Sequence, residues 1–367
     1  MNLSQSKADP CLFYRKGKNG STEGVVVVYV DDCILTGCKE FIEEMKQKLK
    51  KEFGVVEDGK LRKLLGIRYE WVNEGNDQEA KVILNMEDKA REIVNAYEAT
   101  MEEGTKLKTY NSPGTPGTVL SKHTGEPVRH DQYRSILGRI MFYVTKIGPE
   151  CSYACGQLAR HMHNPGEEHW RAMERFVGYL KGKEKHELVI RRPMEVRVIS
   201  MGDTSYGDCP DTRRSSTADI HTVGGALTNW RAQKTNTVCL SPAEAEYIEL
   251  TAMSKEQRFM EMLLQEIFYC LLPGVMYEDN KAAMYLVKNK HVSTRTKHID
   301  IKHHYVREHV GNNYGVIVKI KSEDNFPDIL TKNTSISIFQ RLGTALLNGF
   351  KGFEKLFDFS NNHRENY

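Results

Sequence analysis

The sequence predicts an α/β (α+β) fold with more than one domain, and three observations carry that reading. At 367 residues the chain is longer than one hydrophobic core usually serves, since single cores stop growing at about 250–300 residues. Short β-branched and apolar runs alternate with stretches of helical period along most of the length. Beyond residue 190 the order becomes three strands, helix, strand, helix, strand, helix, which suits a mixed sheet with helices laid on it. The domain boundary is placed there. With 40% hydrophobic residues the chain has material for real cores and does not read as disordered.

The first element is a hairpin. Residues 25–30 are Val-Val-Val-Val-Tyr-Val, then come Asp31-Asp32 and the return Cys33-Ile-Leu-Thr36 before Gly37, a β-branched run, a tip and a second strand. Residues 39–53 then place Phe41, Ile42, Met45, Leu49 and Phe53 on one helical face, with Lys and Glu on the other. A strand pair is expected over 64–72, turning at Glu74-Gly-Asn-Asp77 and resuming over 81–84, with a helix over 86–99. Asn111-Ser-Pro-Gly-Thr-Pro-Gly117 holds little regular structure and reads as a linker or an ordered crossing loop.

From 131 to 181 the pattern is helical. Tyr133, Ile136, Leu137, Ile140 and Met141 recur at helix period, and a second helix over 151–163 follows Gly148-Pro149. Asn164-Pro165 opens a third, with Glu167 and Glu168 in its first turn, where the helix dipole favours acids. Past the boundary, strands are expected over 195–203, 218–223, 226–231 (across Gly224-Gly225) and 237–240. Ser241-Pro-Ala-Glu244 starts a long helix to about Tyr269: Ser as cap, Pro in the first position, Glu three residues after the cap. A strand over 275–278, a helix from Asn280, a strand over 316–320 and short helices complete the chain, which contains no internal repeat.

Several function classes are excluded at this level. No run of about 18 apolar residues exists to span a bilayer, and residues 1–10 lack the apolar segment of a signal or transit peptide. An intracellular location, cytoplasmic or nuclear, and no membrane partner are therefore expected. The cysteines, Cys11, Cys33, Cys38, Cys151, Cys155, Cys209, Cys239 and Cys270, form no CxxC pair and no zinc spacing, so they read as thiols of a reduced protein. Cys151 and Cys155 share a helical face and read as core. The 52 basic against 49 acidic residues leave a net charge of +3, too small to imply a nucleic-acid partner; local distribution says more.

Acidic residues stand where chemistry would want them. Asp203 is placed at the end of a strand and continues the apolar face of Ile199 and Met201, where burying a carboxylate is costly unless a cation binds. Glu246 lies early in the long helix, Asp279 ends the next strand, and Asp328 starts a short helix in Phe326-Pro-Asp-Ile-Leu330. Gathered at one end of a sheet, such groups suit a pair of Mg²⁺ or Mn²⁺ ions about 3.5–4 Å apart. From spacing alone each fits a plainer role better: Asp203 at the start of a turn, Glu246 on the helix dipole, Asp279 and Asp328 as caps. Asp31-Asp32 is a sharper signal, because adjacent acids at a hairpin tip repel each other where Asn-Gly or Asp-Gly would serve a turn better; a divalent cation would remove that repulsion.

Taken together these residues resemble the C-terminal part of a copia-type retrotransposon polyprotein, over roughly residues 4 to 348. Gln5-Ser-Lys-Ala-Asp-Pro-Cys-Leu-Phe13 resembles the strand leading into a reverse-transcriptase palm, Tyr29-Val-Asp-Asp32 its polymerase motif, and Leu64-Leu-Gly-Ile67 its primer-grip region. Tyr133-Arg-Ser-Ile-Leu-Gly138, Asn164-Pro-Gly-Glu-Glu-His-Trp170 and Tyr179-Leu-Lys-Gly182 are similar to the helical thumb and connection. Asp203-Thr-Ser-Tyr206, Asp211-Thr-Arg-Arg-Ser215, Ser241-Pro-Ala-Glu-Ala-Glu-Tyr247, Asp279-Asn-Lys-Ala-Ala283 and Thr294-Arg-Thr-Lys-His-Ile-Asp300 follow its ribonuclease H domain in order. The resemblance implies palm and start of thumb over 1–110, thumb/connection over 111–190, a ribonuclease H-like domain over 191–335, and a C-terminal helix and tail over 336–367. It implies two Mg²⁺ (or Mn²⁺) ions held by Asp203, Glu246, Asp279 and Asp328, although Pro327 replaces the family's small residue before the last. The implied partner is an RNA–DNA hybrid or other nucleic acid, selected by A-form shape and the 2′-OH, with Arg213, Arg214, Lys297 and Lys302 near its phosphates.

The polymerase half departs from the family pattern. The resemblance calls for another catalytic Asp and for fingers many tens of residues before Tyr29. The roughly 28 residues present supply neither, since Asp9 belongs to the Asp-Pro-Cys-Leu-Phe strand. With Asp31 and Asp32 alone, nucleotidyl transfer is expected to be lost, and the chain reads as a truncated frame or a fragment. Three readings follow: a hybrid ribonuclease with an inert polymerase remnant, a non-catalytic nucleic-acid-binding remnant or unstable relic, and a polymerase completed by a fingers-bearing chain.

Overall fold

The chain is described by a computed structural model covering residues 2–57, 59–76, 79–193, 195–268, 272–288 and 305–358. Its strands form three sheets. The first is antiparallel and contains β1 (Ser4–Gln5), β2 (Leu12–Lys16), β3 (Thr22–Tyr29) and β4 (Asp32–Gly37) in that order. Helix α1 (Lys39–Phe53) covers one face, burying Phe41 and Met45 against Val26. Gly24 is required there, because a Cβ would lie 2.0 Å from the Phe41 ring. The β3–β4 connection is the two-residue turn Val30-Asp31, with Val30 at φ 54°. A β-branched residue in that left-handed region is strained by roughly 1–2 kcal/mol.

The second sheet is also antiparallel, with β5 (Lys63–Leu64), β6 (Ile67–Val72), β7 (Lys81–Asn85) and β8 (Glu187–Arg191) in order. Between its third and fourth strands the chain forms α2 (Glu87–Glu98), α3 (His130–Ile147), a 3-10 turn Pro149–Cys151, α4 (Ser152–Arg160) and α5 (Glu167–Gly182). The helical periods read in the sequence mark the buried stripes: Tyr133, Ile136, Leu137 and Ile140 of α3 are all within 2% of full burial. Met141, read as part of that stripe, is instead 42% exposed, one position past the buried face. The loop at 111–117 is indeed irregular.

The third sheet is mixed, in the order β11-β10-β9-β12-β13. Strands β9 (Val198–Ser205), β10 (Ser216–Val223) and β11 (Ala226–Lys234) are antiparallel; β12 (Gly274–Glu278) runs parallel to β9, and β13 (Gly315–Lys319) parallel to β12. Long helix α6 (Pro242–Ile267), α7 (Lys281–Lys288) and α8 (Tyr305–Gly311) accompany it, followed by α9 (Asp328–Thr331) and α10 (Ile336–Leu347). This is the mixed sheet that the strand–helix order implied.

Two expectations are corrected. Residues 237–240 are not a strand: Thr237 O accepts from Thr235 Oγ1 (2.8 Å) and Leu240 N donates to Glu244 Oε2 (2.6 Å), so their backbone serves a turn and a helix cap. The strand expected over 195–203 is shifted to 198–205, because Arg197 N turns back onto Glu195 O (3.1 Å). Asp203 therefore sits inside β9, with two more strand residues beyond it. A single large core runs from Ile67 and Ile93 through α3–α5 to Ile199, Tyr277, Phe326 and Leu346, so the helical region and the mixed sheet share their apolar interior. The first sheet keeps a small core of its own.

Candidate metal centre

The mixed sheet is what gathers the acids. Because β12 is parallel to β9 with Tyr277 opposite Met201, the ladder continued by two residues sets Asp279 beside Asp203. Glu246 arrives from the first turns of α6, whose start is fixed as the sequence implied. Ser241 Oγ accepts from Glu244 N (3.1 Å), and the Glu244 carboxylate takes Leu240 N in return. As a result Asp203, Glu246 and Asp279 each offer an oxygen within 4.8 Å of the others, and they are the one such group of three possible ligands among the described residues.

Asp203 is 5% and Glu246 7% exposed. Burial, more than any other influence, raises the Asp203 carboxyl, with Lys332 acting against it and Asp328 adding to it. Burial again leads in raising Glu246, helped by the repulsion of Glu278, Asp203 and Asp279. Glu246 Oε2 is buried with no hydrogen-bond partner among the described residues. A buried, unpaired carboxylate oxygen facing two more carboxylates costs free energy that a bound cation would recover. The donor set is all oxygen, which suits Mg²⁺ or Mn²⁺ and not zinc.

Asp328, the fourth expected acid, is the first residue of α9, and its carboxylate is paired with Lys332. The same short helix fixes Asp203, since Thr331 Oγ1 donates to Asp203 Oδ2, and Asn325 Nδ2 donates to Gly202 O (2.9 Å) just before α9. The sequence reading missed Lys332, Thr331 and Glu278. Glu278 is 2% exposed, raised chiefly by burial, and takes Asn280 N (2.6 Å). One signal was present: β12 is buried along its whole length, and a Glu in such a strand is conspicuous.

Arg213 and Arg214 are exposed on the β9–β10 loop, two to three residues before Ser216, where the ladder ends opposite Ser205, and Arg213 has φ 57°. Their loop is closed by Arg213 N to Cys209 O (2.9 Å). Lys297 and Lys302 lie outside the described residues, as does Cys270. Asp31 and Asp32 are exposed at the hairpin tip, and no third acid joins them among the described residues. A separate polar set, Ser200, His221 and Asp219, is linked at 2.8 and 3.1 Å but is at most 1% exposed. No substrate reaches it, and it reads as structure held by Arg231 and Glu249.

No protein-family model matches the chain. The Pol polyprotein of transposon TNT 1-94 from Nicotiana tabacum is 29% identical over 333 residues, covering 89% of this chain and 24% of its own length. That of transposon RE1 from Arabidopsis thaliana is 28% identical over 345 residues, covering 93% of this chain and 22% of its own. The chain is a homologue of copia-type transposon Pol polyproteins. This Pol homologue thus spans about a quarter of the length of the curated relatives it matches. Among solved structures, ribonuclease H1 of Halobacterium salinarum is 10% identical with a TM-score of 0.25, covering 42% of this chain and 98% of that one. The N-terminal ribonuclease H domain of rv2228c from Mycobacterium tuberculosis is 11% identical with a TM-score of 0.27, covering 41% and 99%. Scores that low carry no weight for the assignment, which rests on the relatives by sequence and on the sheet itself. No helix among the described residues is long and apolar enough to cross a membrane.

Proposed function

We propose that residues 191–335 of this Pol homologue form a ribonuclease H that cleaves the RNA strand of an RNA–DNA hybrid with two Mg²⁺ or Mn²⁺ ions. The observation that carries the reading is the convergence of Asp203, Glu246 and Asp279 within 4.8 Å, with one oxygen of Glu246 buried and unpartnered. Bound there, divalent ions would supply an acidified water and charge stabilisation at the scissile phosphate. The chain's own residues do the rest. Asp203, Glu246 and Asp279 would hold the ions, Thr331 fixes the Asp203 carboxylate by a hydrogen bond, and Asp328 would offer a further carboxylate from α9. Arg213 and Arg214, exposed at the same end of the sheet, are placed to meet phosphates. Residues 1–110 correspond in this reading to palm and start of thumb, 111–190 to thumb and connection, and 336–367 to a closing helix and tail. Asp31 and Asp32, which no third acid joins among the described residues, are in this reading an inert remnant of the polymerase motif.

The test is cleavage of a labelled RNA–DNA hybrid with Mg²⁺ or Mn²⁺, with primer extension measured alongside. Asp203→Asn and Asp279→Asn are expected to lower cleavage roughly a hundredfold or more, since each deletes a metal-binding charge at constant volume. Asp31→Asn should leave it unchanged. A folded wild type that binds the hybrid and does not cut it would assign the chain a binding role instead; primer extension would overturn the inert reading of the hairpin tip.

A further inference from the structure

The acid cluster already has a cation beside it, and that cation is part of the chain. Lys332 follows α9 directly, and its Nζ pairs with Asp328 Oδ1. Its charge also acts on Asp203 and Asp279, and among the charged groups it has the largest influence on Asp203, ahead of Asp328. At a few ångströms one ammonium offsets much of the repulsion among carboxylates that burial would otherwise amplify.

The backbone around this lysine is held from both sides. Before it, the fully buried Thr331 donates its hydroxyl to Asp203. After it, Asn333 O accepts from Gly117 N (2.8 Å) and Asn333 Nδ2 donates to Thr118 O (3.0 Å). Gly114 leaves room for the Asn333 side chain, whose Oδ1 would be 1.9 Å from a Cβ on that glycine. The irregular loop at 111–118 thus clamps the segment to the helical region. The Lys332 side chain itself is 47% exposed and reaches the acids on a flexible four-carbon stem.

We propose that Lys332 is a tethered counter-cation: it occupies the Asp203–Asp328 side of the cluster when no divalent ion is bound and surrenders Asp328 when one binds. This rests on the metal-centre reading above. Lys332 is a positioning residue, not a catalytic one. It keeps the carboxylates gathered in the ion-free molecule, and it sets the ion affinity of that side of the site by competing for the same oxygens.

The test is calorimetric titration of the full chain with Mn²⁺ alone, for wild type, Lys332→Met and Lys332→Arg. Removing the charge should tighten Mn²⁺ binding about tenfold, because the ion no longer displaces an ammonium. The arginine variant, which keeps the charge, should bind as wild type does. Lys332→Met binding no more tightly than wild type would overturn the proposal and leave the metal centre standing. An arginine variant that tightens as the methionine variant does would overturn it too, by pointing to side-chain shape. Absence of binding in wild type and Lys332→Met alike would remove the metal-centre reading, and this proposal with it.

Discussion

Burial holds several histidines neutral. His161, His186 and His309 are pushed down to about 4, and His169 is also lowered, desolvation being the leading cause in each. His169 shows why geometry agrees: Nδ1 accepts from Gly166 N (2.8 Å), a bond that a protonated ring could not accept, while Nε2 faces Ser121 O (2.8 Å). His161 stacks on it at 4.0 Å, with Asp211 drawing its proton on and Arg160 opposing. These folded values lie below the unfolded value of about 6.5, so the unfolded chain takes up protons first as pH falls. The stability these histidines contribute is therefore complete above about pH 6.5 and declines as pH falls toward 4, by about 1–3 kcal/mol each for His161, His186 and His309, while the buried acids of the cluster act in the opposite direction. The thermal midpoint of wild type, measured against that of His161→Gln, should fall from pH 7 to pH 4, so that the variant has the shallower pH dependence. A slope unchanged by the substitution would mean His161 is not among the groups responsible. At this scale the sequence marked the acids at strand ends and helix starts, because position along an element is legible from pattern. It did not mark Lys332 or Thr331, whose importance depends on what lies across a distance of 128 residues, as with Thr331 and Asp203.

At the scale of elements, glycines separate a crowded helix face from an open one. Gly178 lies in the middle of α5, where a Cβ would meet Lys108 O at 2.2 Å. Backbone cannot yield as a side-chain tip does. Gly178→Ala is expected to cost about 1–3 kcal/mol in urea denaturation through overpacking. Gly138 of α3 has nothing within 4 Å of its Cβ position, so Gly138→Ala should be neutral or stabilise by up to about 1 kcal/mol through helix propensity. Equal effects at the two positions would contradict the packing described for α5. The elements themselves were largely readable: α1 spans Lys39–Phe53 as the periodicity implied, and the Ser241 cap of α6 is made as expected. The stretch at 237–240 was misread because Val238 and Leu240 look like strand residues. Alternation along so short a segment cannot tell a strand from a loop whose amides are claimed by a neighbouring cap.

For the whole molecule, the decisive fact is how the apolar interior is divided. The helices α3–α5, the second sheet and the mixed sheet share one core, and α10 brings Phe339 against Tyr179 of α5, their rings 5.6 Å apart. The first sheet and α1 have only Val26, Phe41 and Met45 fully buried together, with a few half-buried neighbours. Polar contacts tie that lobe to the end of α6, among them Lys7 N to Glu266 Oε1 (2.9 Å) and Lys16 Nζ to Ile267 O (2.8 Å). We expect residues 2–57 to open before the rest, at a lower free energy. Hydrogen exchange should show their amides losing protection first, while α5, β8 and β9 exchange together. Joint protection of β3 and β9 would mean the lobe is not a separate unit.

The sequence by itself determined the class of fold and the boundaries of most helices and strands, and it marked the acids as candidates, since these follow from local periodicity, capping and position within an element. Its ordered motifs also resemble those of copia-type Pol polyproteins. What only the tertiary structure decided is which charges meet. Parallel pairing of β12 with β9 sets Asp279 beside Asp203 and α6 adds Glu246, while Asp328 on α9 stands outside that group of three, paired with Lys332. The hairpin acids Asp31 and Asp32, equally prominent in the sequence, remain at an exposed tip. The reason is physical: a residue's neighbours along the chain fix its conformation, but electrostatic coupling depends on distances that only the assembled sheet sets.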